Sequence, residues 1–126
     1  MSYRGSAKVL VVDDASFMRV VLKDILTASG FQNIVEAGDG ATAVSAYQQH
    51  RPDLVTMDIN MPGTDGIQAL RMILQINPAA KVVMVTSVDQ KHVVQEAIKL
   101  GAKDYVVKPF DRGIVATVVN RVLRSR

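Results

Sequence analysis

Five short apolar runs punctuate the chain: Lys8 to Val12, Asn33 to Ala37, Leu54 to Asp58, Lys81 to Thr86 and Asp104 to Val107. Each is rich in valine or isoleucine, and most lack the in-out alternation of a half-exposed strand. This pattern predicts strands covered on both faces. The segments between them carry apolar residues three and four apart: Val21, Ile25 and Ala28; Ile67, Leu70 and Leu74; Val94, Ala97 and Ile98. That spacing predicts amphipathic helices. Punctuation agrees, with Gly30 after the first helix, Gly38-Asp39-Gly40 opening the second, Pro78 after the third, Gly101 closing the fourth and Asp111 placed to cap the last. Strict strand-helix alternation implies an α/β fold, a parallel sheet with right-handed crossovers and helices on both faces.

Composition narrows the class without changing this picture. With 126 residues, 48% hydrophobic and 21% charged, the chain suits one globular domain with a core of its own. A flexible N-terminal tail is expected over residues 1–7. The last helix should run nearly to Arg126, leaving no output domain after it. The apolar runs are too short to span a bilayer and the first residues lack the apolar core of a signal peptide, so a cytoplasmic location is expected. Zero cysteines exclude disulfides and thiolate metal sites. The net charge of +3 comes in good part from Arg4, Lys8, Arg121, Arg124 and Arg126 near the termini. It forms no basic stripe on a defined element, so no nucleic-acid partner is expected.

The third run ends on a carboxylate, Asp58, followed by the turn Ile59-Asn60-Met61-Pro62-Gly63-Thr64-Asp65-Gly66. In an open α/β sheet the carboxyl ends of the strands border the ligand crevice. Asp13-Asp14 directly follows the first strand and shares that edge if the first and third strands are neighbours. Three converging carboxylates repel, and a hard divalent cation relieves them. Magnesium fits, since it takes oxygen ligands and keeps several waters. Thr86 ends the fourth strand and Lys108 follows the fifth, sending a hydroxyl and an ammonium to the same edge. Singly, each has an ordinary reading: first-turn acids complementing a helix dipole, a β-branched strand residue, a surface lysine. Their order along the alternating strands favours acceptance of a phosphoryl group on Asp58, where cation and donors would stabilise its oxygens.

The runs Val11-Val12-Asp13-Asp14, Met57-Asp58-Ile59-Asn60-Met61-Pro62-Gly63, Val85-Thr86-Ser87 and Lys108-Pro109-Phe110 resemble the receiver domain of two-component response regulators. The resemblance covers essentially the whole chain. Phe17-Met18-Arg19 after the acid pair and an end at the fifth helix make it similar to single-domain chemotaxis regulators of the CheY type. It implies a flavodoxin-like (βα)5 three-layer sandwich with strand order 2-1-3-4-5 and a single receiver domain over 1–126. It implies Asp58 as the phosphoacceptor, a histidine kinase as donor and Mg2+ as cofactor. The metal would be ligated by Asp14, Asp58 and the backbone carbonyl of Asn60, with Asp13 acting through water. Lys108 would pair with the phosphoryl oxygens. Thr86 would move to hydrogen-bond one of them while Tyr105 turns inward, a population shift between two packings.

Lys91, Gln95 and Lys99 recur at four-residue spacing on the polar side of the fourth helix, an ordinary solvated face that the resemblance makes a partner surface with Tyr105. A flagellar motor switch or another chemotaxis component, and a phosphatase, are the implied partners. The expected state is a monomer or a weak phosphorylation-dependent dimer. Pro109 raises the question of a cis Lys108-Pro109 bond. Thr64 stands where an apolar residue is frequent and should affect loop packing, while Asn60 and Ser87 are placed to tune phosphate lifetime. His50 and His92 lack ligand-type spacing to any partner. Rival readings stay open: a receiver belonging to a larger transcription factor or enzyme, a scaffold without chemistry, and a metal-dependent phosphohydrolase using an aspartyl phosphate. Against the last, Asn60 stands where such an enzyme carries its second acid. A dinucleotide-binding enzyme is disfavoured because Asp13-Asp14-Ala15 replaces a glycine-rich loop.

Overall fold

The computed structural model describes residues 3–61 and 63–125, so Met1 and Ser2 of the expected tail, Pro62 of the turn and Arg126 lie outside the described residues. A single helical turn, Tyr3–Ser6, precedes the first strand. Five strands follow, β1 (Lys8–Val12), β2 (Asn33–Ala37), β3 (Leu54–Asp58), β4 (Val82–Thr86) and β5 (Asp104–Val107). They alternate with α1 (Ser16–Ala28), α2 (Gly40–His50), α3 (Gly66–Ile76), α4 (Lys91–Leu100) and α5 (Arg112–Arg124). All strand pairs are parallel, in the order β2-β1-β3-β4-β5. This is the expected flavodoxin-like sandwich.

The valine-rich runs are strands because both of their faces are covered. On one side Leu10, Val12, Val55, Met57, Val82 and Met84 pack with Tyr47, Leu70, Ile73 and Ala97 of α2, α3 and α4. On the other, Val9, Val11, Leu54, Val83 and Val85 meet Leu22, Ile25 and Leu26 of α1 and Val115, Val119 and Val122 of α5. All residues of β3 and β4 are buried. Thr56 faces the second layer with its Oγ1 unpartnered, a polar group in a position the pattern makes apolar.

The helix ends follow local chemistry. Asp39, Asp65 and Asp111 cap α2, α3 and α5 by accepting from the amides of Thr42, Gln68 and Ile114. Gly101, at φ 129°, ends α4. Lys81 Nζ donates to the carbonyls of Leu123 and Ser125, both at 2.7 Å, closing the exposed end of α5. Thr64 packs its backbone carbonyl against Gly40, where a side chain would overlap it. Among the described residues no helix is long and apolar enough to cross a membrane.

Candidate functional site

Register assembles the site. Val12 pairs with Met57, so Asp13 arrives abreast of Asp58, and Thr86 pairs with Val107, so Lys108 emerges just beyond Thr86. Carboxylate oxygens of Asp13, Asp14 and Asp58 all lie within 4.8 Å of one another, a group able to hold a metal ion. Asp13 and Asp58 are buried while Asp14 is exposed. Lys108 Nζ sits 2.8 Å from Asp13 Oδ2 and 3.5 Å from Asp58 Oδ2. The Lys108-Pro109 peptide is cis, and the Lys108 amide donates to the Thr86 carbonyl at 2.8 Å.

These positions decide the electrostatics. Burial, and then repulsion by Asp13, push the Asp58 carboxyl up from 3.8 to about 6, against the attraction of Lys108 and a hydrogen bond from the Asn60 amide. Burial alone would depress Lys108. Its hydrogen bond to Asp13 and the charges of Asp58 and Asp13 outweigh that and raise it above its ordinary value. With three carboxylates against one ammonium, the cluster carries an excess of negative charge that a divalent cation would neutralise. Asp58 Oδ1 accepts from the Asn60 amide at 3.4 Å, leaving the Asn60 carbonyl available to a ligand.

Thr86 and Tyr105, expected to act as a switch, stand apart from this cluster. Thr86 is buried, and its hydroxyl donates to the Ser87 carbonyl at 3.0 Å, away from Asp58. Tyr105 is 37% exposed, its ring outside the core. With Lys91, Gln95 and Lys99 it lines a groove of about 410 Å3 floored by Val94 and Ile98. His92 is exposed, and His50 offers its backbone carbonyl to Lys8; neither histidine joins the acidic cluster.

Two neighbours of the site escaped the sequence reading. Gly66 opens α3 directly against the end of β3: a Cβ there would overlap the Asp58 carbonyl oxygen and lie 2.9 Å from its carbonyl carbon. Arg19 donates from Nη1 to the Asp13 carbonyl at 2.6 Å. In the sequence Gly66 stands only as the end of the turn after Asp58 and Arg19 only within the Phe17-Met18-Arg19 run, because both contacts depend on tertiary placement.

The chain resembles known proteins over most of its length. Residues 9–120 match the family described as response regulator receiver domain. The chain is 49% identical to the chemotaxis protein CheY of Bacillus subtilis over 116 residues, covering 92% of this chain and 97% of that one. It is 53% identical to protein CcdB of the same organism over 116 residues, with the same coverage. Its fold superposes on a chain from the CheX-CheY-BeF3-Mg2+ complex of Borrelia burgdorferi with a TM-score of 0.89 and 38% identity, covering 94% of this chain and 90% of that one. A sheet whose register gathers three carboxylates and a lysine at its carboxyl edge, with sequence similarity running through every strand, places this chain in the response regulator receiver family.

Proposed function

We propose that this protein is a phosphorylation-activated response regulator that accepts a phosphoryl group on Asp58 from a histidine kinase and signals by binding other proteins in chemotaxis or flagellar motor control. The observation that carries the reading is the convergence of Asp13, Asp14 and Asp58 within 4.8 Å with Lys108 between two of them. The excess negative charge fits Mg2+, held by Asp14, Asp58 and the Asn60 carbonyl, with Asp13 acting through water. When bound, the cation would supply neutralising charge for the phosphoryl oxygens.

The chain's own residues do the rest. Asp58 has one oxygen facing the Asn60 amide and the other facing Lys108, so its carboxylate is oriented for attack on phosphorus. As the bond to the donor atom breaks, Lys108 can swing its ammonium from Asp13 toward the new phosphoryl oxygens, a short move for a flexible side chain already 3.5 Å from Asp58. Thr86 would exchange the Ser87 carbonyl for a phosphoryl oxygen, vacating the space that Tyr105 would fill. The groove of Lys91, Gln95, Lys99 and Tyr105 would then change shape, and we assign it as the partner surface. We assign the protein to the cytoplasm, together with its kinase and target. The similarity to the Bacillus CheY supports the chemotaxis assignment.

Intact-mass measurement tests the chemistry. Incubated with Mg2+ and a small acyl-phosphate donor, the wild type should gain one phosphoryl group, and neither Asp58→Asn nor chelator-treated wild type should gain any. Stable labelling of Asp58→Asn at position 58 would overturn the assignment.

A further inference from the structure

We propose that Arg19 is a positioning residue for the acidic site: its guanidinium, braced by Glu36, fixes the peptide joining Asp13 to Asp14, so that cation affinity and phosphoryl acceptance depend on it. The inference rests on the reading of the three carboxylates as cation ligands and of Asp58 as acceptor. Arg19 lies in the first turn of α1, where a cation opposes the helix dipole. It is nevertheless drawn in, its side chain only 20% exposed.

Two different donors hold it there. Nη1 reaches the Asp13 carbonyl at 2.6 Å, and Nε reaches Glu36 Oε1 at 3.1 Å. Glu36 is gripped in turn by Lys23 at 3.3 Å, and it stands on β2 abreast of Val11. The guanidinium therefore ties the neighbouring strand to the loop after β1. Burial would raise the Glu36 carboxyl, but hydrogen bonds from Arg19 and Lys23 bring it below its ordinary range. The brace is thus charged at neutral pH.

The target of the bond matters more than its strength. The other polar atoms of Asp13 are already held: its amide donates to Ala37 O at 3.2 Å, Oδ1 accepts from Ala15 N at 2.9 Å, and Oδ2 accepts from Lys108. Its carbonyl belongs to the peptide plane that leads into Asp14. Orienting that plane sets the rotation about both flanking bonds and so the direction in which the Asp14 side chain leaves the backbone. Asp14 is exposed and makes no side-chain hydrogen bond among the described residues. Only its backbone can aim it at Asp58. A lysine at position 19 has one point of charge and cannot serve both the carbonyl and Glu36, which require separate N–H groups of a planar fork.

The test uses Arg19→Met, which keeps the stem and removes the fork, and Arg19→Lys, which keeps the charge. Mg2+ affinity is read by calorimetry well below the unfolding midpoint, and the phosphorylation rate by intact mass over a range of Mg2+ concentrations. Outer groups that orient ligands typically change metal affinity by about 10- to 100-fold when removed. We expect Arg19→Met to weaken Mg2+ binding about tenfold, Arg19→Lys less, and the labelling rate to recover toward wild type at saturating Mg2+. Folded Arg19→Met with wild-type Mg2+ affinity would overturn the proposal, since a purely structural brace leaves affinity unmoved once the chain is folded. Should Arg19→Met fail to fold, the same outcomes are read on Arg19→Lys and on Glu36→Gln, for which a two- to threefold loss is expected. Absence of labelling in the wild type would instead refute the parent reading.

Discussion

The Asp58 carboxylate should destabilise the protein that carries it. Asp58 is almost fully buried and faces Asp13, and in the folded chain its carboxyl titrates at about 6 in place of 3.8. The sign follows from linkage. Below pH 4 the group is protonated in both folded and unfolded chains and contributes nothing. Between pH 4 and 6 the unfolded chain releases the proton while the folded chain keeps it, so stability falls as pH rises. Above pH 6 both are ionised and the full penalty is present. At 1.36 kcal/mol for each pH unit, the gap between 3.8 and about 6 corresponds to about 3 kcal/mol.

Asp58→Asn keeps the shape of the side chain and its acceptor toward the Asn60 amide, and removes the charge. In chelator at pH 7.5 the variant should be more stable than the wild type by up to about 3 kcal/mol, or about 10 °C in unfolding midpoint for a chain of this length. At pH 4.5 the advantage should shrink to about 1 kcal/mol, because most of the wild-type molecules are then protonated at this position when folded. Thermal unfolding followed by far-UV circular dichroism at the two pH values measures both differences. Mg2+ should raise the wild-type midpoint at pH 7.5 far more than that of the variant, since binding to the folded state alone adds stability. A variant no more stable than wild type at pH 7.5, or one whose advantage does not change with pH, would refute the argument that Asp58 is held ionised against a local repulsion.

Gly66→Ala should destabilise the chain by several kcal/mol and slow phosphorylation, because its Cβ would force the start of α3 off the Asp58 carbonyl; urea unfolding and intact-mass labelling check both effects. Thr56→Val, nearly equal in volume, should stabilise the fold by about 1 kcal/mol by removing a buried unpartnered hydroxyl while leaving labelling unchanged. Asp14→Ala should abolish most of the calorimetric Mg2+ signal without unfolding the protein, since Asp14 is exposed and makes no structural hydrogen bond among the described residues.

The strands were legible in the sequence almost residue for residue. A parallel sheet buried on both faces demands unbroken apolar runs, and such runs have few other homes in a chain without a membrane-length segment. Only the fourth strand begins one residue later than its run, at Val82. Lys81 is instead turned to the end of α5, where its ammonium caps two carbonyls. The convergence of Asp13, Asp14, Asp58 and Lys108 was also legible once the resemblance supplied the strand order, because each residue ends or follows a strand at the same edge of the sheet. What periodicity could not supply was whatever depends on side chains reaching across elements. Lys108 lies nearer Asp13 than Asp58, Arg19 turns inward against its helix dipole, and Gly66 is required by the approach of one backbone to another. Each is a distance between segments far apart in the chain or related by a turn, and no local pattern encodes it.

The same distances explain how one site can be both repulsive and well ordered. Three carboxylates and one ammonium leave a net negative cluster, and an isolated loop would relieve it by swinging Asp13 or Asp58 into water. Neither can swing far. Asp58 is the last residue of a strand bonded on both sides, and its carbonyl is backed by the start of α3. Asp13 is held at its amide, its carbonyl and both carboxylate oxygens. The repulsion therefore persists in the folded state as raised proton affinity at Asp58, and anything that neutralises the cluster is bound with the benefit of relieving it. A cation does so directly. On the proposed reading a phosphoryl group would instead add negative charge at Asp58 and draw Lys108 and Thr86 toward it, away from Asp13 and the Ser87 carbonyl. The proposed rearrangement toward Tyr105 would then be driven by the added charge acting on groups that the surrounding bonds hold close to Asp58. Loosening them, at Arg19 or Gly66, should weaken the response to phosphorylation even where Asp58 itself is untouched.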